Sequence, residues 1–395
     1  MQPSRVADVA GAAPAPVEAA RPLRVALFTG NYNYLREGAN QALNRLVAHL
    51  ERRGHQVRVY SPVTDTPAFE PEGTLIPVPS ITLPVRTEFQ LALGIPKPVR
   101  RDIERFAPDI VHVATPDILG TRAETLAKQS GVPVVASLHT RFEAYLEHYG
   151  LGWLRPVAEA HLRRFYRRAD CVLAPTPAIV EEMKQLRGDD RAFLWSRGVD
   201  RALFSPARRD PAWRRAQGWS DEDVVVLFFG RLVVEKGTRL FTEVIAGLQR
   251  CDRRVRALIV GAGPAEQSMR PIGAASFTGH LEGADLARAV ASADLMISPS
   301  TTETFGNVLL EAMASGLAVI TADAPNARAL FENGRTGVLC ASTDDYVRAA
   351  RRLLDSPSER RRMGEAAREA SEGYSWDDVS QAAEDAYMFT IGCRA

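Results

Sequence analysis

Cysteine is scarce in this chain, since four occur among 395 residues and they are far apart in the sequence. This spacing contains no pair typical of a thiolate metal site or a redox dithiol, and such usage is expected of a reducing compartment. Long apolar runs are missing too, because no stretch approaches the roughly 18 residues that span a bilayer. The formal net charge of +1 gives no overall attraction to nucleic acid or membranes, and no nucleic-acid partner is expected.

The start of the chain lacks the features of a secretory signal. Residues 1–22 are rich in Ala and Pro, with neither a basic start nor a continuous apolar segment. We therefore expect a disordered tail at 1–22 and a cytoplasmic protein.

Short β-branched runs alternate with longer amphipathic stretches, which is the pattern of parallel βα units. A first series of strands is expected at 23–30, 56–61, 109–114, 133–139, 171–176 and 192–196. A second series is expected at 224–230, 256–260, 295–299, 318–322 and 337–340, with helices beginning at Thr238, Gly283, Gly306 and Asp344. The fold class is therefore α/β, and the chain length favours two hydrophobic cores.

The weakly periodic segment 197–218 separates the two series and is the expected linker. The prediction is a Rossmann-like N-terminal domain at 23–198 and a Rossmann-like C-terminal domain at 199–375, which face each other across a cleft. Residues 376–395 are expected to form a last helix, and packing back on the N-terminal domain is one path open to it.

The segment 298–316, SPSTTETFGNVLLEAMASG, carries the most specific pattern. After a strand the chain turns at Gly306 and opens a helix, whose first amides have no partner within the helix and favour an anion. Glu303 precedes this helix and Glu311 lies within it, so the two carboxylates can hold two sets of hydroxyl groups. Taken alone, the segment is equally well explained as a capped helix without a ligand.

The two glutamates, the Phe-Gly-Asn turn and the sequence Glu-Ala-Met-Ala-Ser-Gly resemble the signature of glycosyltransferase family four, whose members are retaining enzymes of the GT-B fold. The resemblance implies that Glu303 holds hydroxyls of the donor sugar and that Glu311 holds the ribose of the nucleotide. It also implies that the sugar and phosphates contact the residues of the turn and first helical turn, which are Thr304, Phe305, Gly306, Asn307 and Val308.

A second motif, FGRLVVEKG at 229–237, follows the first strand of the C-terminal half. It resembles the phosphate clamp of the family, with Arg231 and Lys236 in the clamp positions, although two solvated surface cations are the alternative. Its glycine and lysine spacing is not that of a Walker loop. No aspartate-rich metal motif accompanies it, and the family usually needs no metal, so no cofactor is expected.

Two segments at strand ends of the N-terminal half contain further candidate site residues. Residues 28–40 resemble the loop that closes over the diphosphate, but only Gly38 stands where many relatives carry two adjacent glycines. Tyr32, Tyr34 and Arg36 in this loop are either acceptor contacts or packing residues. The motif at 137–145 resembles the histidine motif of the family, which places His139 near the sugar or the leaving group.

The motifs are most similar to the branch with sulfoquinovosyl diacylglycerol synthases and lipid α-mannosyltransferases. This resemblance implies a UDP- or GDP-linked sugar donor, a lipid acceptor and a place at the inner face of the cytoplasmic membrane. The basic and aromatic stretch 155–168 is either a solvated helix face or a membrane-surface patch. Its candidate residues are Arg163, Arg164, Arg167 and Arg168.

Other functions remain open on sequence grounds, because a fold does not decide a reaction. They are transfer to a soluble or polysaccharide acceptor, a sugar-nucleotide epimerase or phosphorylase of the same fold, and a non-catalytic binding protein. Against the last of these stands the presence of Glu303, Glu311, Arg231, Lys236 and His139.

Overall fold

The structure is a computed structural model that describes residues 21–34, 37–82, 89–141 and 152–393. The chain divides into two compact units. The C-terminal unit is Val199–Ser375, and the N-terminal unit combines Gln2–Gly198 with Trp376–Ala395. Most of the expected disordered tail lies outside the described residues, but Arg21 is described, and its guanidinium donates to Asp109 at 2.7 Å.

Seven parallel strands form the main sheet of the N-terminal unit, and a separate antiparallel hairpin accompanies them. The strands are β1 (Arg24–Phe28), β2 (Gln56–Ser61), β3 (Thr74–Pro77), the hairpin strands β4 (Ser80–Thr82) and β5 (Gln90–Ala92), β6 (Ile110–Val113), β7 (Val134–Ser137), β8 (Cys171–Ala174) and β9 (Ala192–Leu194). The order in the main sheet is β3-β2-β1-β6-β7-β8-β9. Its central strands are apolar and buried, as expected of a parallel sheet with both faces covered.

Helices cover both faces of this sheet, and local signals explain where they begin and end. They are α1 (Gly38–Arg52), α2 (Lys97–Phe106), α3 (Ile118–Gln129), α4 (Arg155–Arg168) and α5 (Pro177–Arg187). Helix α5 illustrates the rule, because the Thr176 hydroxyl accepts the Ile179 N–H at its start. It ends at Gly188, which adopts the left-handed conformation that glycine tolerates best.

The C-terminal unit has one six-stranded parallel sheet. Its strands are β10 (Val224–Phe229), β11 (Val255–Val260), β12 (Ala275–Gly279), β13 (Leu295–Ser298), β14 (Ala318–Ala322) and β15 (Val338–Cys340), in the order β12-β11-β10-β13-β14-β15. Its helices are α6 (Pro211–Ala216), α7 (Thr238–Cys251), α8 (Glu266–Met269), α9 (Gly283–Ala291), α10 (Asn307–Ala314), α11 (Pro325–Leu330), α12 (Thr343–Asp355) and α13 (Pro357–Ala370). The expected α/β class is confirmed, and all eleven expected strands are present within two residues of their predicted ends.

The last helix, α14 (Trp376–Gly392), belongs to the N-terminal unit. Its apolar residues, among them Ala383 and Ala386, enter the core that covers one face of the first sheet. The same helix brings a buried carboxylate, Glu384, which contacts His49 Nε2 at 3.0 Å and His55 Nε2 at 3.2 Å. Burial alone would raise the pKa of Glu384, but hydrogen bonds from the two histidines hold it well below its ordinary value.

We expect Glu384→Ala to destabilise the N-terminal unit by about 3 kcal/mol, because it leaves two buried histidines without their acceptor. The measurement is the midpoint of thermal unfolding, followed by calorimetry. Asp377→Ala on the same helix is the control, since its side chain is 78% exposed and its loss should cost less than about 0.5 kcal/mol. Glu384 makes its full contribution to the free energy of unfolding above about pH 4.3, and this contribution falls as the pH drops below that value. Equal effects of the two substitutions would contradict this account.

Candidate functional site

The first candidate cation of the C-terminal unit follows the end of β10. The segment there is held by two backbone hydrogen bonds, from Gly230 N–H to Val260 O and from Leu232 N–H to Ala262 O, both 3.0 Å long. Arg231 lies between these two anchors with an exposed side chain. Its position at the carboxyl end of a parallel strand is where ligands of open α/β sheets bind.

The second candidate cation, Lys236, ends a short 3₁₀ turn, Val234–Lys236, that packs on the loop after β13. The Ser300 and Thr302 hydroxyls donate to the carbonyl of Glu235 at 3.4 and 3.5 Å. This packing brings Lys236 Nζ into an ion pair with the carboxylate of Glu303. About a fifth of each of these two side chains is exposed, so the pair is reachable from solvent. The structure thus brings together two residues that lie 67 positions apart in the chain.

Helix α10 begins at the turn predicted to bind an anion. Gly306 precedes it with φ +96°, a conformation suited to glycine, and no side chain caps the helix. The buried side chain of Asn326 donates from Nδ2 to the carbonyl of Phe305 at 3.2 Å. Because a trans peptide directs its carbonyl and N–H to opposite sides, this bond turns the Gly306 N–H away from Asn326. The first amides of α10 are therefore fixed in direction and uncapped, as an anion site requires.

The second predicted glutamate, Glu311, lies within α10 and is only partly accessible. Loss of hydration raises the pKa of its carboxyl to about 8. A carboxyl with this pKa is mostly protonated at neutral pH and ionises as the pH rises through about 8. In the ionised form it accepts hydrogen bonds from hydroxyl groups. The remaining predicted donor contacts, Thr304, Phe305, Asn307 and Val308, lie in the same turn and first helical turn.

The candidate site residue of the N-terminal unit, His139, follows the end of β7. Its Nδ1 accepts a hydrogen bond from Arg197 Nη2 at 2.8 Å, and its Nε2 lies 2.8 Å from Ser137 Oγ. The Trp195 ring meets the imidazole edge to face at 5.3 Å. Burial, together with the neighbouring Arg197, lowers the pKa of His139 well below its ordinary value, so the ring is neutral.

The described part of the loop after β1 contains two buried tyrosines. Tyr32 is fully buried and its hydroxyl donates to Asn44 and to the Glu72 carbonyl, while buried Tyr34 donates to the Gly30 carbonyl. Of the two alternatives for these tyrosines, the structure favours packing. Gly38 is the first residue of α1 rather than part of an extended loop. Arg36 lies outside the described residues.

The basic residues of α4 divide into two pairs. Arg167 donates to the Leu186 carbonyl at 2.7 Å, and Arg168 contacts buried Glu124 at 3.4 Å, so both secure the helix to its own unit. Arg163 and Arg164 are exposed. Near them Trp153 is 73% exposed and Val157 is 67% exposed, which is unusual for large apolar side chains. None of the helices in the described ranges has the length and apolar content needed to cross a membrane.

Sequence reasoning missed three buried polar residues. Asn326 lies beside the start of α10 in the C-terminal unit, and His112 and Tyr387 lie near His139 in the N-terminal unit. His112 is the only polar side chain in β6, Ile-Val-His-Val, and a histidine in a fully buried strand signals a partner. No comparable signal marks Asn326 or Tyr387, because their partners lie far away in the sequence.

Comparison with known proteins agrees with this geometry. The model of Glycosyltransferase Family 4 matches residues 36–203, and that of Glycosyl transferases group 1 matches residues 209–370. A GDP-mannose-dependent alpha-mannosyltransferase of Mycolicibacterium smegmatis is 36% identical over 94% of this chain and 99% of its own length. Sulfoquinovosyl transferase SQD2 of Arabidopsis thaliana is 32% identical over 91% of this chain and 72% of its own length.

Among solved structures, sucrose-phosphate synthase from Thermosynechococcus elongatus superposes with a TM-score of 0.76, covering 94% of this chain and 100% of that chain at 18% identity. At this identity the likeness concerns the fold, and it confirms the prediction of two Rossmann-like domains in the GT-B class. The identity to the mannosyltransferase over nearly the whole of both chains decides the family. The chain belongs to glycosyltransferase family four and is a glycosyltransferase.

Proposed function

We propose that this enzyme transfers a hexosyl group from a nucleoside diphosphate sugar to a hydroxyl group of a membrane lipid, with retention of the α configuration. The observation that carries the proposal is the grouping of Lys236, Glu303 and the uncapped start of α10 in one unit. The name of the GDP-mannose-dependent mannosyltransferase supports a nucleotide-linked donor. Another relative, alpha-monoglucosyldiacylglycerol synthase of Acholeplasma laidlawii, supports a lipid acceptor.

When the donor binds, its diphosphate replaces Glu303 as the partner of Lys236. In the free protein Lys236 neutralises Glu303. The diphosphate then binds to Lys236, Arg231 and the amides of α10. Glu303 is thereby free to accept hydrogen bonds from hydroxyls of the sugar. Glu311 accepts the ribose hydroxyls.

The reaction breaks the bond between the anomeric carbon and the diphosphate oxygen, and negative charge grows on the diphosphate. Fixed cations and amides stabilise this charge without reorganising, which lowers the barrier. The acceptor oxygen attacks from the face that the diphosphate leaves, and its proton passes to an oxygen of the leaving phosphate. His139 lies beside the sugar as a neutral ring. No metal is needed, because the cations and amides already compensate the leaving group, and activity should persist in a chelator.

The assay that tests the proposal offers GDP-mannose, UDP-glucose and UDP-sulfoquinovose to the purified protein with a diacylglycerol or phosphoinositide acceptor. Release of free nucleoside diphosphate that depends on the acceptor, with an α-linked glycolipid as product, supports transfer with retention. Epimerised donor without acceptor dependence would contradict it, and so would a β-linked product.

Lys236→Ala should lower kcat by roughly two to three orders of magnitude, because it removes a charge-assisted contact to the leaving diphosphate. The control is Arg239→Ala, which removes a cation whose side chain is 91% exposed and which lies only three residues further along the chain. This control should retain normal turnover. Near-normal kcat in Lys236→Ala would remove that residue from the phosphate site.

Glu311→Gln should weaken donor binding about tenfold to a hundredfold above pH 8, because it replaces charge-assisted acceptors of the ribose hydroxyls. Since the pKa of Glu311 is raised to about 8, wild-type affinity should increase as the pH rises from about 6.5 to about 8.5 and the carboxyl ionises. The glutamine variant should show no such increase. Calorimetric titration of the donor across this range measures both effects, and an identical pH dependence in the two proteins would refute the ribose assignment.

The membrane part of the proposal is supported by α4. Its exposed residues include Val157 and the cations Arg163 and Arg164, and the exposed Trp153 lies in the 3₁₀ turn Gly152–Leu154 just before it. Tryptophan with neighbouring arginines is typical of helices that lie in the membrane interface. Each cation contributes about 1 kcal/mol near an anionic surface, so the pair accounts for reversible attachment without an anchor.

Replacing both Arg163 and Arg164 with Gln should weaken binding to anionic vesicles roughly tenfold or more, and wild-type binding should fall with salt. Co-sedimentation with phosphatidylserine vesicles at low and high ionic strength measures this. The matched control is the double change of Arg361 and Arg362 to Gln on α13, which alters the net charge equally at another exposed arginine pair. Equal loss in both variants would mean that only net charge matters, and the α4 surface would be excluded.

A further inference from the structure

A continuous row of buried polar side chains crosses the N-terminal unit from α14 to His139. It begins at Tyr387, whose hydroxyl lies 2.5 Å from His112 Nδ1. His112 Nε2 lies 2.7 Å from Ser137 Oγ, which in turn contacts His139 Nε2 at 2.8 Å. Tyr387, His112 and Ser137 have no solvent exposure. We call these four residues together with Arg197 the relay.

The direction of the two hydrogen bonds at His139 follows from Arg197, because a guanidinium can only donate. Arg197 donates to His139 Nδ1, so the proton of this neutral ring is on Nε2 and is donated to Ser137 Oγ. The Ser137 hydroxyl, which accepts from His139, has one proton of its own to donate, and we assign that proton to the hydrogen bond with His112 Nε2. His112 therefore carries its proton on Nδ1 and donates it to the Tyr387 oxygen. The opposite direction would set two donors against each other at His139.

The position of Arg197 is itself strongly determined. Its side chain is buried, and Nη1 donates to the carbonyls of Trp195 and Ser196 at 3.0 and 2.9 Å. The guanidinium also lies over the Trp195 ring, 5.2 Å from its centre. Four anchored contacts leave the guanidinium no other orientation that still reaches His139.

The energetics oppose any charged form of the two rings. Burial lowers the pKa of His112 to about 3, and burial with the positive charge of Arg197 lowers the pKa of His139 well below its ordinary value. A proton that entered either ring would therefore be expelled at neutral pH.

We propose that Tyr387, His112 and Ser137 are positioning residues that hold His139 as the neutral tautomer with its proton on Nε2. Arg197 fixes this tautomer, and Tyr387 on the C-terminal helix ends the row of hydrogen bonds that holds the ring in place. His139 is then an oriented dipole and takes no proton from the acceptor, in accord with transfer of that proton to the leaving phosphate. The proposal rests on the proposed function for the part of His139 in sugar transfer, whereas the tautomer assignment does not depend on it.

The first test is nitrogen-15 NMR of histidine side chains in the wild-type protein at neutral pH, without donor or acceptor. We expect a neutral His139 protonated on Nε2 and a neutral His112 protonated on Nδ1. The variants His139→Gln and His112→Gln assign the NMR signals to the two residues. A His139 that is charged or protonated on Nδ1 overturns the proposal, whatever the reaction of the enzyme. Because this measurement needs no turnover, its failure is distinct from failure of the proposed function.

The second test is kinetic and separates positioning from a structural role. Tyr387→Phe and Ser137→Ala should each lower kcat about tenfold while the donor KM stays within about twofold, because neither residue binds the donor. The kcat of the double variant should also fall about tenfold rather than a hundredfold, since both changes break the same relay. Independent losses that multiply in the double variant overturn the proposal.

Tyr346→Phe is the matched control. Tyr346 is also a buried tyrosine, and among the described residues its hydroxyl has no hydrogen-bond partner. Its variant should keep the wild-type kcat. A loss in Tyr387→Phe no larger than in this control overturns the role of Tyr387, and thermal melting verifies that all variants are folded.

Discussion

The donor side of the molecule depends on the close approach of two loops in the C-terminal unit. A Cβ atom on residue 237 would lie 2.7 Å from the Pro299 Cβ, so the turn after β10 can reach the loop after β13 only because Gly237 has no side chain. Its φ of +73° also suits glycine. Strands β10 and β13 are neighbours in the sheet, and this contact closes the remaining distance between Lys236 and Glu303. A backbone constraint thus creates the electrostatic pair.

Charge compensation differs between the two glutamates, and this difference matches their proposed roles. Glu303 has Lys236 as its ion-pair partner. In the proposed function Glu303 releases Lys236 to the diphosphate, so the binding of sugar hydroxyls by Glu303 is coupled to occupation of the phosphate site. For Glu311 the main effect of its surroundings is loss of hydration, which raises the pKa of its carboxyl to about 8. A ribose contact remains equal in the ground and transition states, so such a group can tune affinity without changing the barrier.

Local sequence signals predicted most of the fold but only part of the site. β-branched runs located the central strands, whereas β3, β12 and the hairpin of β4 and β5 were missed, because they are short and half-exposed. The motifs located Lys236 and Glu303 separately, but their ion pair depends on the sheet order. Tyr32 and Tyr34 could not be assigned from sequence, since an aromatic loop residue looks the same whether it packs or binds. Burial decides between these possibilities.

The N-terminal unit becomes complete only when the end of the chain returns to it. Within this unit, a Cβ on Gly198 would lie 2.6 Å from the Trp376 backbone nitrogen, so the chain leaves and re-enters the unit at one point. Helix α14 then supplies core residues, the Glu384 carboxylate and the Tyr387 hydroxyl. Contacts between residues so distant in sequence require closure of a long loop, which costs entropy. The relay around His139 is therefore complete only when α14 has returned to the N-terminal unit.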